Sequence, residues 1–116
     1  MTTPYVWTRD AMRVASWIVT RKVPPAIADR LYVSVCSTGA VGLQVCGDVP
    51  VAERINDLDR IAEVLGLVPA WQDVTSRAGD WWYRAAGVVR GVRVEVYLMT
   101  HAAELGVPCP QDWVAA

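Results

Sequence analysis

Phenylalanine is absent from this chain of 116 residues, and lysine and histidine occur once each, as Lys22 and His101. Hydrolytic catalysis usually combines a nucleophile, a base and an orienting group. His101 stands in no recognisable motif, so a surface or capping role is its simpler interpretation. The lack of Phe and Lys beside abundant Ala, Val, Gly and Arg predicts a GC-rich source genome, such as that of an actinobacterium or its phage.

Cysteine is also scarce, since Cys36, Cys46 and Cys109 are the only three. An odd number without C-x-x-C spacing is a poor framework for disulfides or for a metal site. We therefore expect free thiols in a reducing cytoplasm, with no metal and no cofactor. A Cys–His catalytic pair stays open at this point, because such residues meet in space rather than in sequence.

Long apolar runs and known catalytic signatures are missing too. No run approaches the roughly 20 residues that a membrane-spanning helix needs, and Arg9, Asp10 and Arg13 interrupt the N-terminal apolar residues that a signal peptide would require. Phosphate-binding loops, dinucleotide fingerprints and G-x-S-x-G are absent. The sequence predicts a cytoplasmic protein that has no membrane partner and is not an enzyme.

The charge balance is close to neutral, with a formal net charge of −1. This disfavours bulk nucleic acid as a partner, because that would require a basic excess. A local basic face near the N-terminus keeps nucleic acid as an alternative partner, and a solvated helix face is the competing interpretation. The candidate nucleic-acid-binding residues are Arg9, Arg13, Arg21, Lys22 and Arg30.

What the sequence has is 53% hydrophobic residues in clear periodic patterns. Apolar residues at helical spacing predict a first helix over about 9–22, with Thr8 as its N-cap and Pro24 ending it. Alternation predicts two strands over 31–36 and 41–46, joined by the three-residue loop 37–39 with Gly39 left-handed. With this loop, Leu31 is expected opposite Val45, Val33 opposite Leu43 and Val35 opposite Val41.

A second helix follows, capped by Asp48, with Pro50 in its first turn and Gly66 as its C-cap. Asp57 is expected on its solvent side. Three more strands are predicted at 69–75, 81–89 and 92–98, the last two joined across Arg90. A four-residue loop over 77–80 would place Arg84 opposite Asp73, and a short helical turn is predicted near 101–105.

These elements predict one α+β domain over residues 1–116, with an irregular tail from about residue 106. The element order is α-β-β-α-β-β-β-α. A right-handed crossover through the second helix predicts a five-stranded antiparallel sheet in the order 2-1-3-4-5. Two long helices would cover one face of this sheet and leave the other face open.

The open face is the most informative feature of the predicted fold. It would carry aromatic and arginine side chains, which are enriched at protein-binding hot spots. We therefore predict a non-enzymatic interaction or adaptor module that binds a protein partner, including itself as a homodimer. There are three alternatives. The fold itself needs these aromatic residues, the chain is a regulator that binds nucleic acid, or it is a domain that binds a small molecule. The candidate protein-binding residues are Tyr32, Gln44, Trp71, Trp82, Arg84, Arg93 and Tyr97.

Overall fold

The computed structural model describes residues 4–73 and 80–101, with side chains from residue 8 onward except that of Asp73. Within these residues, three α-helices and five strands form the predicted α+β class of fold, and the short helix α2 was not foreseen. A π-helical turn over Ile18–Lys22 continues the first helix. The elements are α1 (Pro4–Trp17), α2 (Pro25–Ala28), β1 (Leu31–Val35), β2 (Val41–Val45), α3 (Val51–Leu65), β3 (Ala70–Asp73), β4 (Asp80–Val89) and β5 (Val92–His101).

The sheet is mixed, in the order β1-β2-β5-β4-β3, with β2 and β5 parallel. The predicted order 2-1-3-4-5 and the all-antiparallel pairing are therefore wrong. α3 carries the chain to the far edge of the sheet, and the β3-β4-β5 meander returns it to β2. The two strands that bury every second residue, β2 and β5, thereby become central neighbours. The central position of β2 and β5 accounts for this burial, and alternation along each strand does not reveal which strands are neighbours.

Both predicted hairpins are present. Leu31 lies opposite Val45 and Val35 opposite Val41, which is the predicted register. Gly39 has a φ of 82°, in the left-handed region that glycine adopts without steric cost. β4 and β5 pair over ten residues up to Val89 opposite Val92, so this hairpin is longer than expected. Local turn chemistry was enough to set these two registers.

The register between β3 and β4 differs from the prediction by three residues. Ala70 lies opposite Arg84, and Asp73 lies opposite Trp81 rather than opposite Arg84. Because side chains alternate between faces, an odd shift moves every β3 residue to the other side of the sheet. The loop 74–79, whose length the prediction assumed, lies outside the described residues, as does the helical turn predicted after His101.

The helix ends also depart from the predictions. Thr8 lies within α1 and does not cap it. Pro50, and not Asp48, occupies the N-cap of α3. The expected C-cap is correct, since Gly66 has a φ of 72° and its amide donates to the carbonyls of the last turn. Proline suits the start of a helix because its φ is fixed near the helical value and it has no N–H group to satisfy there, so sequence spacing alone misplaced this end.

The core lies between one face of the sheet and the helices α1 and α3. Its fully buried side chains come from the π-helical turn, α3 and the central strands: Ile18, Leu58, Ile61, Val41, Leu43, Val94, Val96 and Leu98. Asp57, expected in solvent, is 5% exposed and forms a bidentate pair with Arg30, at 2.9 and 3.0 Å. A buried carboxylate needs such a partner, and Arg30 supplies it from the start of β1.

Candidate protein-interaction surface

The face of the sheet opposite α1 and α3, called the open face below, has no described element packed on it. A row of four predicted residues crosses it from β1 to β4. Tyr32 lies opposite Gln44, Gln44 opposite Tyr97, and Tyr97 opposite Arg84. Tyr32 is 63% exposed at the β1 end of this row. The structure thus brings together side chains that are 65 positions apart in the sequence.

Tyr97 is the centre of the row, and its ring lies over Gly42 of β2. A Cβ atom at Gly42 would lie 2.7 Å from Ser34 Oγ and 3.7 Å from Tyr97 Cε1. Burial raises the pKa of the Tyr97 phenol, and the charge of Glu95 raises it further. The hydroxyl group therefore stays protonated at neutral pH and remains available to donate a hydrogen bond to a bound partner.

Arg84 is the most connected residue of the open face. Its Nη2 atom lies 3.0 Å from Glu95 Oε2, and its Nη1 atom donates to Gln72 Oε1 at 3.2 Å. The guanidinium carbon lies 5.9 Å from the ring centroid of Trp82, at the outer limit of a cation–π contact. These contacts hold Arg84 in place and neutralise its charge.

Trp82 and Arg93 complete the predicted set on this face. The Trp82 Nε1 atom is shielded from solvent, and no acceptor for it lies among the described residues. Trp82 pairs with Met99, and Arg93 pairs with Val88, which is 71% exposed. The prediction missed Met99 and Val88, although strand alternation was sufficient to place both on this face.

Trp71 does not belong to the open face, and its prediction as a binding residue there is wrong. It lies opposite Tyr83, and the two rings stack with centroids 4.6 Å apart and an interplanar angle of 28°. The Tyr83 hydroxyl group donates to Asp59 of α3. The stack therefore lies on the helix side of the sheet and ties β3 and β4 to α3. The odd register shift of β3 is the cause.

The residues predicted for nucleic acid divide into two groups. Arg30 is engaged by Asp57 beneath α3, so it is not part of a basic face. Arg9, Arg13 and Arg21 line a surface groove of about 640 Å³ along α1 and the π-helical turn, with Met12 among its apolar lining residues.

The basic end of that groove is organised around Trp17. Lys22 Nζ lies 5.2 Å from the Trp17 ring centroid, and the Arg90 guanidinium carbon lies 3.7 Å from it. Arg90, in the turn between β4 and β5, has a φ of 51°. Two cations on one indole ring restrain both side chains at the surface.

Of the Cys–His pairs that the sequence left open, Cys36 and His101 lie too far apart in the sheet to react together. Following the strand registers, Cys36 is level with Arg93, eight residues before His101 along β5. At about 3.3 Å per residue, this separates them by about 26 Å. His101 Nδ1 instead lies 2.6 Å from Asp80 Oδ1 at the opposite end of the sheet.

The described residues show neither a metal-ion cluster nor a membrane-spanning helix. No three His, Cys, Asp or Glu side chains there come together as a metal ion would require. Within residues 4–73 and 80–101, no helix is long and apolar enough to cross a membrane. The second surface cavity, of about 270 Å³, lies between α1 and two hairpin turns and is lined in part by Asp10, Thr38 and Arg93.

Comparison of the chain with protein-family models, with curated proteins and with solved structures yields no match. The proposed function therefore rests on the residues of the open face and of α1.

Proposed function

We propose that this chain is a non-enzymatic protein-interaction module that binds a protein partner through the open face. The observation that carries the proposal is the row Tyr32–Gln44–Tyr97–Arg84, which crosses the sheet without a described element over it. Tyrosine and arginine are enriched at hot spots because they combine large contact area with fixed hydrogen-bonding groups.

The charge of the open face favours a protein over a nucleic acid. Arg84 is already paired with Glu95 at 3.0 Å, so Arg93 is left as the free cation among the residues described on this face. Nucleic-acid affinity depends on several cations that neutralise phosphates. A paired arginine beside two tyrosines fits the mostly neutral core of a protein interface.

The pattern of exposure supports the same assignment. Val88 and Tyr32 are strongly exposed on the open face, while Tyr97 and Trp82 on the two paired strands β5 and β4 are only partly exposed. Restrained aromatic residues lose little conformational entropy on binding. We therefore place the anchor of the interface at Tyr97 and Trp82.

The test compares variants of the two faces in a quantitative pull-down from the source organism, followed by titration with the recombinant partner. Tyr97→Ala and Trp82→Ala are expected to weaken partner binding at least about tenfold each, as truncation of a hot spot does. Trp71→Ala is the matched control, because it removes an aromatic side chain from the opposite face. Variants of Tyr97 and Trp82 that keep every partner at wild-type affinity would refute the proposal.

A second candidate function is binding of nucleic acid along α1. It is supported by the alignment of Arg9, Arg13 and Arg21 on one groove and by Lys22 beside it on Trp17. The test is a gel shift at low and physiological salt with the triple alanine variant of the three arginines. A salt-dependent shift that weakens at least about tenfold supports it; Arg60→Ala on α3 is the control. Absence of binding at low salt ends this alternative.

A further inference from the structure

β1 forms one edge of the sheet, and within residues 4–73 and 80–101 it has none of the usual protection of an edge strand. The strand Leu31–Val35 contains no charged residue and no proline. Its register with β2 is continuous over all five residues, so no bulge bends it away. Natural proteins normally protect an exposed edge by one of these devices, because an unprotected edge recruits another strand.

The backbone of β1 presents its hydrogen-bonding groups to this edge at alternate residues. The Cys46 amide donates to the Arg30 carbonyl and the Cys36 amide donates to the Ala40 carbonyl. The even-numbered residues of β1 therefore bond to β2. By the alternation of an antiparallel ladder, the N–H and C=O groups of Leu31, Val33 and Val35 point away from β2.

The side chains of the same three residues are apolar and incompletely covered. Val33 is 39% exposed although it lies on the helix side of the sheet, opposite the buried Leu43. Leu31 and Val35 are partly buried against the core. A second strand at this edge would therefore satisfy backbone groups and cover apolar surface at the same time.

We propose that a second copy of this chain occupies the edge, with the two β1 strands antiparallel about a two-fold axis at Val33. In this register, Val33 of one copy lies opposite Val33 of the other, Leu31 opposite Val35, and Tyr32 opposite Ser34. The outward N–H and C=O groups of Leu31, Val33 and Val35 in the two copies would then form about six N–H···O hydrogen bonds between the strands. The dimer would have one continuous sheet of ten strands, five from each copy.

The sequence of β1 suits pairing with a copy of itself, because the apolar residues Leu31, Val33 and Val35 then lie opposite one another. All five strand residues pair in the register at Val33, whereas a shift by two residues pairs only three of them. The charged residues beside the strand do not meet their own copies. Arg30 would lie opposite Cys36, and its charge is already engaged by Asp57. Along the paired strands themselves, this two-fold register therefore places no like charges opposite each other.

This dimer does not depend on partner binding at the open face, because Val33 lies on the other side of the sheet. It does join the two open faces into one continuous surface, with Tyr32 of each copy near the axis. Aromatic side chains at diagonal positions are within reach of each other across two strands.

Sedimentation equilibrium of the full chain tests the proposal through the dimer dissociation constant. Val33→Lys places two ammonium groups on the axis and is expected to raise this constant at least about 100-fold. Val88→Lys and Val68→Lys are the matched controls, at valines that are 71% and 84% exposed, and both should dimerise like the wild type. Circular dichroism verifies that each variant is folded.

A cross-link tests the register without a destabilising charge. In a chain with Cys36, Cys46 and Cys109 replaced by serine, Val33→Cys should be joined into a covalent dimer by a short bis-maleimide cross-linker. Residue 33 meets itself on the axis with Cα atoms about 5.5 Å apart, so the two thiols lie within the span of such a reagent. Val68→Cys should not cross-link.

Three results would overturn the proposal. The first is a wild type that is monomeric at 100 μM, whether or not it accepts a strand from another protein. The second is a dimer that survives Val33→Lys and is lost in Val88→Lys, which would place self-association on the open face. The third is a Val33→Cys variant that cross-links no faster than Val68→Cys. Partner binding by the open face would be unaffected by the first and third results, so the two proposals fail separately.

Discussion

The stack of Trp71 on Tyr83 provides a quantitative test of the β3 register, and with it of which aromatic residues belong to the open face. With Trp71 on the helix side of the sheet, Trp71→Ala removes a half-buried indole from its contact with Tyr83. Truncation of a fully buried aromatic residue costs about 3–5 kcal/mol, so partial burial gives about 2 kcal/mol here. For a domain of this size, this corresponds to a fall in Tm of about 8 °C.

A double-mutant cycle isolates the stack itself. At a centroid separation of 4.6 Å, the Trp71–Tyr83 pair should contribute a coupling energy of about 1 kcal/mol beyond area burial. The cycle uses Trp71→Ala, Tyr83→Leu and the double variant, each measured by urea unfolding. Tyr83→Phe keeps the stack and loses the hydrogen bond to Asp59, which is expected to cost about 1 kcal/mol.

Gln72→Ala is the matched control, because Gln72 is on the same strand and faces the other way. It should change the unfolding free energy by less than about 0.5 kcal/mol. A coupling energy of zero within error would refute the reasoning. So would a Gln72→Ala variant that loses as much stability as Trp71→Ala, since this would mean that β3 pairs with the opposite parity.

Three further predictions follow from single contacts. The Cys36 thiol lies 2.8 Å from the Thr38 hydroxyl group, and hydrogen bonds from Thr38 and the backbone lower the pKa of this thiol. Thr38→Val should therefore slow the alkylation of Cys36 by iodoacetamide at pH 7.5, because less thiolate is present. An unchanged alkylation rate, measured by mass spectrometry, would contradict this. Burial and a hydrogen bond to a carboxylate raise the pKa of Tyr83 above its unfolded value, so its stabilisation is present below about pH 10 and lost as pH rises further. Tyr83→Phe should flatten this alkaline loss in urea titrations, and identical slopes would count against it. A Cβ atom at Gly87 would lie 2.6 Å from Leu67 Cδ2, so the end of the Leu67 side chain has to shift in Gly87→Ala, at a cost of about 1 kcal/mol. Equal costs with and without Leu67→Ala would refute the contact.

Much of the candidate site was predictable because strand parity is a local property. The side chains of Tyr32 and Gln44 share a face in any register that the 37–39 loop permits, and those of Arg93 and Tyr97 share one by alternation along β5. The position of Arg84 opposite Tyr97 followed from the predicted turn across Arg90, whereas the predicted cross-strand charge pair of Arg84 with Asp73 does not form. The same logic failed for Trp71, whose face depends on the length of a loop that its sequence does not fix.

The sequence by itself determined the α+β class, the two hairpins and the C-cap at Gly66, because turn chemistry and side-chain periodicity act over a few residues. Only the tertiary structure decided that β5 lies beside β2 and that β1 is left at an edge. It also decided that Arg30 and Asp57 pair beneath α3. Strand order depends on the apolar area that distant segments bury against one another, and no local pattern records that sum. The open face was therefore foreseeable from the sequence, and the free edge at Val33 was not.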